Sequence, residues 1–302
     1  MTKLSDNIKK TWLKATLKLI KNPINNQNFL IEDPEKDEPV NPCMDVFNAK
    51  IQSDRGLDKI KLVIIVRVDL NNKGLVGDTW SPTVSMRTLK YFLVDATKQK
   101  ARIHQLDFIG SFLQAKVKNR VFVKLDGRYA DYSPEYAKYF GRSLILLNSV
   151  YGMTNYGKLF ADELAEWLLE AGFTLYQCQM SIYYKYAPDG SKIILSSYVD
   201  DCVYWYTNEA PGNLFVDNLG KRFHVNFLGY AHWFMSVRIS QMKDHSISVD
   251  QARYATSVIE KYLDTATVKV STKFYKTTFP DDMIFTKEDV STSDEQVEKL
   301  TR

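Results

Sequence analysis

Asp200 and Asp201 stand side by side in "LSSYVDDCVYW" (195–205), a run otherwise made of strand formers. Adjacent carboxylates repel, and Asp is disfavoured inside strands. Two physical readings are open at this point. A polar turn between two strands accommodates such a pair. A divalent cation would cancel the repulsion, and Mg²⁺ is held by one or two carboxylates together with substrate phosphates. A third acid, Asp107, lies near the end of the strand-like "HQLDF". If the two strands are neighbours in one sheet, Asp107 faces the turn carrying Asp200 and Asp201. Three carboxylates at one sheet edge suit two Mg²⁺ ions, one polarising a hydroxyl nucleophile and one holding a triphosphate. Periodicity alone does not make the strands neighbours.

The elements around these acids are legible in outline. Residues 1–45 are polar and Pro-punctuated and predict a poorly ordered lead-in, apart from a turn or two of amphipathic helix in "WLKATLKLI". "KLVIIVRV" (61–68) is the first strong strand. Ser81-Pro82 predicts a helix start, with Val84, Leu89, Phe92, Leu93 and Ala96 near one face. A strand ends around Asp107 and Phe108, and Gly110 breaks it into a helical turn. "NRVFVKL" (119–125) and "SLILLNSVYG" (143–152) read as strands around a turn-rich stretch. The clearest helix places Phe160, Leu164, Trp167, Leu168 and Ala171 on one side and stops at Gly172. Pro188-Asp189-Gly190 supplies a hairpin turn, and "CVYWY" pairs back across Asp200-Asp201 as a second hairpin. "PGNLFVDNLGKRF" is helical, "HWFMSVRISQM" and "SISVD" pair, and Asp250 caps a last helix in "DQARYATSVIEKYL". Short antiparallel hairpins mixed with helices argue an α+β fold.

Composition narrows the function classes. The chain has 302 residues, 45% of them hydrophobic and 25% charged, enough for two or three subdomains with cores of their own. Forty Lys and Arg against 36 Asp and Glu permit a polyanionic partner without demanding one. Cys43, Cys178 and Cys202 form neither a disulfide framework nor a zinc pattern, and the four histidines never pair at ligand spacing. No apolar stretch reaches membrane-spanning length and the N-terminus lacks a signal-peptide core, so a soluble, intracellular protein is expected.

Tyr198-Val199-Asp200-Asp201 has the Tyr-x-Asp-Asp form of the catalytic signature of reverse transcriptases, and the text around it resembles the copia-type group of LTR retrotransposons. "HQLDFIGSFLQAKVKNRVFVKL" is similar to that family's Leu-Asp-(three residues)-Ala/Ser-Phe-Leu block and the strand after it. "LLNSVYGMTNYGKLFADEL" resembles its "LxxSLYGLKQSPRAWY" block, and "NFLGYAHWFMSVRI" resembles "LGxLxxFLGIEI". "ISVDQARYATSVIEKYL" and "DTWSPTVSMRTLKYFL" also resemble family segments, and the blocks keep the family's order from about residue 58 to about residue 275.

The resemblance implies a right-hand polymerase: a palm made of an antiparallel sheet with flanking helices, plus fingers, with the thumb truncated or absent. Residues 46–265 would be fingers (mainly 46–100 and 126–165) and palm (mainly 101–125 and 166–250). Residues 266–302 would be a polar segment leading toward a thumb and RNase H region beyond Arg302. It makes Asp107, Asp200 and Asp201 the palm carboxylates, with the Phe108 carbonyl a further metal ligand. Two Mg²⁺ are implied, with Mn²⁺ able to substitute. Lys61, Arg67, Tyr151 and Gly152 match nucleotide-pocket positions, and Phe112 matches a gate that crowds a ribose 2′-hydroxyl. Trp233 and Phe234 match the primer grip. The implied reaction is RNA-directed DNA synthesis from a dNTP on a DNA primer, with an RNA or DNA template held through its backbone. Integrase and RNase H domains of a parent polyprotein are expected as partners, in a cytoplasmic particle or the nucleus.

The chain departs from the family at several positions. Val63 and Val68 replace an Arg and a Gly of the fingers strand, Thr154 and Gly157 replace a Lys and a Pro, and Ser236 stands where the family has Gly. These departures keep open a catalytically inactive, nucleic-acid-binding fragment of a decayed element. A metal-dependent nuclease using the same acids is a third reading, supported by nothing beyond the acids.

Overall fold

The computed structural model describes residues 28–51, 57–67, 79–127, 134–177 and 179–265. They fall into two units, Met1–Gln251 and Ala252–Arg302. Along the first unit run β1 (Phe29–Ile31), β2 (Val40–Ile51), β3 (Leu57–Val66), helix α1 (Met86–Lys98) and β4 (His104–Phe108). Then come β5 (Phe122–Lys124), β6 (Ser143–Leu146), α2 (Tyr156–Glu170), β7 (Thr174–Tyr176), β8 (Gln179–Tyr186), β9 (Lys192–Tyr198) and β10 (Asp201–Tyr206). Helix α3 (Glu209–Arg222) and strands β11 (Val225–Tyr230), β12 (Trp233–Phe234), β13 (Val237–Gln241) and β14 (Ile247–Asp250) complete it. In the second unit the described element is α4 (Ala252–Thr265), where the Thr256 hydroxyl donates to the Ala252 carbonyl. The architecture is α+β, as the mixture of hairpins and helices predicts.

Three sheets organise the first unit. Five strands run in the order β1-β6-β5-β2-β3, six in the order β11-β4-β10-β9-β8-β7, and three as β12-β13-β14. Side chains alternate across a strand, so each face of the six-stranded sheet takes a different cover. Leu106, Phe108, Cys202 and Tyr204 meet Phe160, Leu164 and Leu168 of α2 and Phe215 and Leu219 of α3. Ile103, Val203 and Trp205 meet Leu89, Phe92, Leu93 and Ala96 of α1 together with Phe234, Val237 and Ile239. A third core fills the five-stranded sheet around Val66, Val123, Leu144 and Leu146. Each fully buried Leu or Phe stabilises by about 1.5–3 kcal/mol, so the two covered faces fix the register of β4 and β10 firmly.

The local signals hold where their chemistry is local. Asp189 Oδ1 accepts from the Ser191 amide (3.0 Å) in the β8–β9 turn, and Gly190 takes the left-handed conformation with φ 79°. Gly172, at φ 84°, ends α2 as expected. Several expectations need correction. Helix α1 begins at Met86, not after Ser81-Pro82: Ser85 caps it by accepting from the Thr88 amide (3.2 Å), while the Ser81 hydroxyl donates to the Gly157 carbonyl. Val84 and Leu89 bracket that cap within one buried cluster, a hydrophobic staple. The lead-in contains order, since β1 pairs with β6, β2 begins at Val40, and Phe29 is buried. Strand β3 starts at Leu57 rather than Lys61, and β6 stops at Leu146, short of Gly152. Asp250 is the last residue of β14 and accepts from Arg238 Nε at 2.8 Å.

β5 pairs with β2 and β6 in the five-stranded sheet, and α1 covers one face of the six-stranded sheet. Residues 1–27, Val68, Cys178 and 266–302 lie outside the described residues.

Candidate active site

β4 is the strand that the sequence left without neighbours. It lies between β10 and β11, antiparallel to both. Asp107 is the ladder partner of Asp201 on one side and of Asn226 on the other. Because Leu106, Phe108 and Cys202 face α2 and α3, the alternating partners Asp107 and Asp201 lie on the opposite face, the one that α1 also covers. A one-residue slip of β4 would turn Asp107 into the helix-covered core. Register, held by apolar neighbours, therefore puts the acids together.

Asp200 sits in the turn between β9 and β10. Tyr198 and Asp201 are ladder partners, which leaves a two-residue turn of Val199 and Asp200. Val199 has φ 55°, and Asp200 is not among the residues with positive φ, the pattern of a type II′ turn. A β-branched side chain there costs about 1–3 kcal/mol. The turn is tied back to β4: the Phe108 amide donates to the Asp200 carbonyl at 3.0 Å, and the Ser111 hydroxyl donates to Asp200 Oδ1. The Phe108 ring is fully buried, edge-on to Phe160 and Phe223, so its backbone is fixed from below.

The electrostatics are those of a crowded acid cluster. Burial raises the Asp201 carboxyl above its ordinary range, and the charges of Asp107 and Asp200 raise it further. The hard oxygen donors and the mutual repulsion fit a divalent cation. Among the described residues, no group of three His, Cys, Asp or Glu forms a ready ligand set. That is the expected state for Mg²⁺, which takes one or two carboxylates and completes its shell with water and substrate phosphates rather than with an all-protein cage.

The expected nucleotide-pocket residues partly assemble beside the acids. Phe112 follows Ser111 in a 3₁₀ turn, Ser111–Gln114. Its buried ring is edge-on to Tyr151 (centroids 5.4 Å apart) and Tyr156 (4.2 Å). Burial raises the Tyr151 phenol, and Asp200 contributes to the rise, which puts that tyrosine in the field of the cluster. The Tyr151 carbonyl accepts from the Val66 amide at 2.9 Å, so the end of β3 docks on this turn. Gly152 makes the contact possible: it has φ 92°, and a Cβ there would run into the Val66 carbonyl oxygen. Arg67 is the next residue, with its amide on the Pro42 carbonyl (2.9 Å). Lys61 lies further along β3 opposite Asn48, and Val63 lies opposite Val46; the side chains of both fall outside the described residues.

The residues expected at a primer grip divide. Both belong to the β12–β13 hairpin, and the Trp233 carbonyl accepts from Gln105 Nε2 of β4 at 2.8 Å. Phe234 is core, 1% exposed, though its ring meets Tyr198 of the signature edge-on at 6.2 Å. Trp233 is half-buried. The hairpin closes through Met235 (φ 51°) and Ser236 (φ 62°), so Ser236 takes a left-handed conformation that Gly would adopt at lower cost. Sequence reasoning missed Ser111, Tyr156 and strand β11. Residues 225–230 carry no alternation to read, and nothing in a sequence marks the Ser111 hydroxyl as aimed at Asp200.

A family model described as reverse transcriptase (RNA-dependent DNA polymerase) matches residues 25–276. The retrovirus-related Pol polyproteins from transposons RE1 and RE2 of Arabidopsis thaliana are each 23% identical over 254 residues, covering 83% of this chain and 17% of theirs. That from transposon TNT 1-94 of Nicotiana tabacum is 22% identical over 238 residues, covering 77% and 17%. The chain thus spans 17% of the length of these curated relatives. A solved foamy viral protease-reverse transcriptase in complex with double-stranded DNA aligns over 73% of this chain and 30% of its own, at 11% identity and a TM-score of 0.34. With 25–276 matched, the chain belongs to the reverse transcriptase (RNA-dependent DNA polymerase) family, a family of nucleotidyltransferases.

Proposed function

We propose that this chain carries the polymerising centre of a retrotransposon Pol protein, joining a dNTP to a primer 3′-hydroxyl on an RNA or DNA template and releasing pyrophosphate. One observation carries the reading: Asp107 and Asp201 oppose each other across the β4–β10 ladder, with Asp200 in the adjoining turn. The six-stranded sheet with α1, α2 and α3 would be the palm, and the five-stranded sheet would belong to the fingers. No membrane partner is invoked; among the described residues no helix is long and apolar enough to cross one.

Asp107 and Asp200, with the Phe108 carbonyl, would hold Mg²⁺ or Mn²⁺, and Asp201 would complete the negative field. The metal would supply charge neutralisation at the phosphates and a more acidic primer hydroxyl. The chain's own residues position. Phe112, backed by Tyr151 and Tyr156, fills the space a ribose 2′-hydroxyl would need and so selects deoxynucleotides. The Tyr151–Gly152 turn forms the floor beside it, and Arg67, with Lys61 further along β3, neutralises triphosphate charge. The β12–β13 hairpin, anchored through Gln105, supports the primer end. Holding reactants in line accounts for much of the rate in phosphoryl transfer.

A second reading, binding of nucleic acid without polymerisation, is motivated by the departures from the family pattern at Val63, Val68, Thr154 and Gly157. One experiment separates the two: single-nucleotide extension of an RNA/DNA primer–template at low salt, wild type beside Asp200→Asn, in Mg²⁺ and then Mn²⁺. Extension by the wild type alone supports the polymerase. Salt-sensitive binding with no extension in either metal supports the second reading and overturns the first.

A further inference from the structure

Two fully buried hydroxyls grip the turn that follows β4. Ser111 Oγ donates to the Asp200 carboxylate, and Ser149 Oγ donates to the Phe112 carbonyl. The Ser149 amide adds a bond to the Ala115 carbonyl at 2.8 Å, and Gly110 starts the turn in the left-handed region with φ 60°. Asp200 is therefore held twice by one segment, at its main-chain carbonyl by the Phe108 amide and at its side chain by Ser111. The residue after Ser111 is Phe112, the wall against Tyr151 and Tyr156.

A hydroxyl donating to a carboxylate is among the stronger hydrogen bonds, and complete burial of Ser111 keeps water from competing for it. Removing this one oxygen leaves the backbone, the register and the aromatic wall in place. It takes away the side-chain link between Asp200 and the segment that carries Phe112.

We propose that Ser111 is a positioning residue for Asp200: it holds one carboxylate oxygen so that the group meets a divalent cation in a set orientation, fixed jointly with the position of Phe112. This rests on Asp200 being a metal ligand, the reading given above. Hydrogen bonds behind a ligating carboxylate typically carry roughly tenfold or more in metal affinity.

The test compares wild type, Ser111→Ala, Ser111→Cys and Asp200→Asn. Ser111→Cys keeps most of the side-chain volume while weakening the donor, so it separates the hydrogen bond from the space it fills. Mn²⁺ alone is titrated into the folded proteins and followed by loss of the free-ion electron paramagnetic resonance signal. Ser111→Ala is expected to bind Mn²⁺ roughly tenfold more weakly, Ser111→Cys to fall between it and wild type, and both to melt cooperatively in EDTA. In Mg²⁺-dependent extension, Ser111→Ala should lower kcat and raise the Mg²⁺ needed for half-maximal rate, with the KM for dTTP unchanged. A merely structural serine would lower the melting temperature and leave the Mn²⁺ affinity of the folded protein alone, and that result overturns the proposal. If Asp200→Asn loses Mn²⁺ and Ser111→Ala does not, only the role of Ser111 falls. If Asp200→Asn binds like the wild type, or the wild type binds no Mn²⁺, the metal reading falls and takes this one with it.

Discussion

β4 has the same two neighbours along its length, yet its ends are built from opposite materials. At one end Asp107 lies opposite Asp201 of β10 and Asn226 of β11; at the other His104 lies opposite Tyr204 and Tyr230 of the same strands. The His104 imidazole sits 5.2–5.3 Å, centroid to centroid, from Tyr204, Tyr206 and Tyr230. Burial lowers its pKa, with the Glu209 charge pulling the other way, so the fold prefers that ring neutral. The acid end does the reverse, burying the Asp201 carboxyl beside the like charges of Asp107 and Asp200. Backbone pairing is indifferent to this choice. The aromatic end stabilises the ladder that the acid end strains.

The largest effect should come from the acid end. Asp107→Asn or Asp201→Asn is expected to reduce single-nucleotide extension more than roughly 100-fold while leaving the circular dichroism spectrum unchanged; residual extension near wild-type level would remove the distinction between the ends. Next, His104→Ala should destabilise by about 2 kcal/mol, since ring pairs are each worth about 0.5–1.5 kcal/mol. Urea unfolding reads the loss, and extension measured well below the midpoint should stay within about twofold of wild type, because His104 makes no contact with the acids.

Titration separates the ends more finely, because the two pKa shifts have opposite consequences. His104 is depressed in the fold, so the unfolded chain takes up its proton first: the stability it contributes is present above an unfolded value of about 6.5 and declines as pH falls through it. His104→Phe should flatten that decline in thermal melts. Asp201 is raised in the fold, so its charged form opposes folding at neutral pH. In EDTA, Asp201→Asn should melt higher than wild type at pH 7, and the gap should close below about pH 4, where the unfolded carboxyl is also protonated. A gap that widens toward acid would contradict the crowding of the three acids. The smallest effect is expected away from both ends. Ser236→Gly relieves a left-handed side chain in the β12–β13 turn and should raise stability by about 0.5–1 kcal/mol, net of the extra freedom glycine has when unfolded. Extension should be unaffected, whereas a drop would mean that the serine itself serves the primer end.

Where chemistry is local, residue types alone were enough. Pro188-Asp189-Gly190 specified the β8–β9 turn, the 3.6-residue spacing of Phe160, Leu164 and Leu168 specified α2, and Gly110 specified the break after β4. The family resemblance, carried by the Tyr198–Asp201 signature and the blocks around it, singled out the acids and the gate. Pairings between distant segments were not legible. β2 lies parallel to β5, and β11 lies beside β4 although five of its six residues are exposed. Neither strand has an alternation that its own sequence would show, because its stability comes from a partner far along the chain. The same holds for the cap of α1, which depends on Val84 and Leu89 reaching one core and on Ser81 being taken by Gly157.

The sequence by itself determined which acids this protein has, that Asp200 and Asp201 lie at the bend of a hairpin, and that it folds as α+β, because those follow from residue type and short-range spacing. Only the tertiary structure decided that Asp107 opposes Asp201, that Gly152 lets β3 close on the Tyr151 turn, and that Ser111 reaches Asp200. Each of these brings together groups far apart in the chain, and their meeting is set by which apolar faces must be buried against which others.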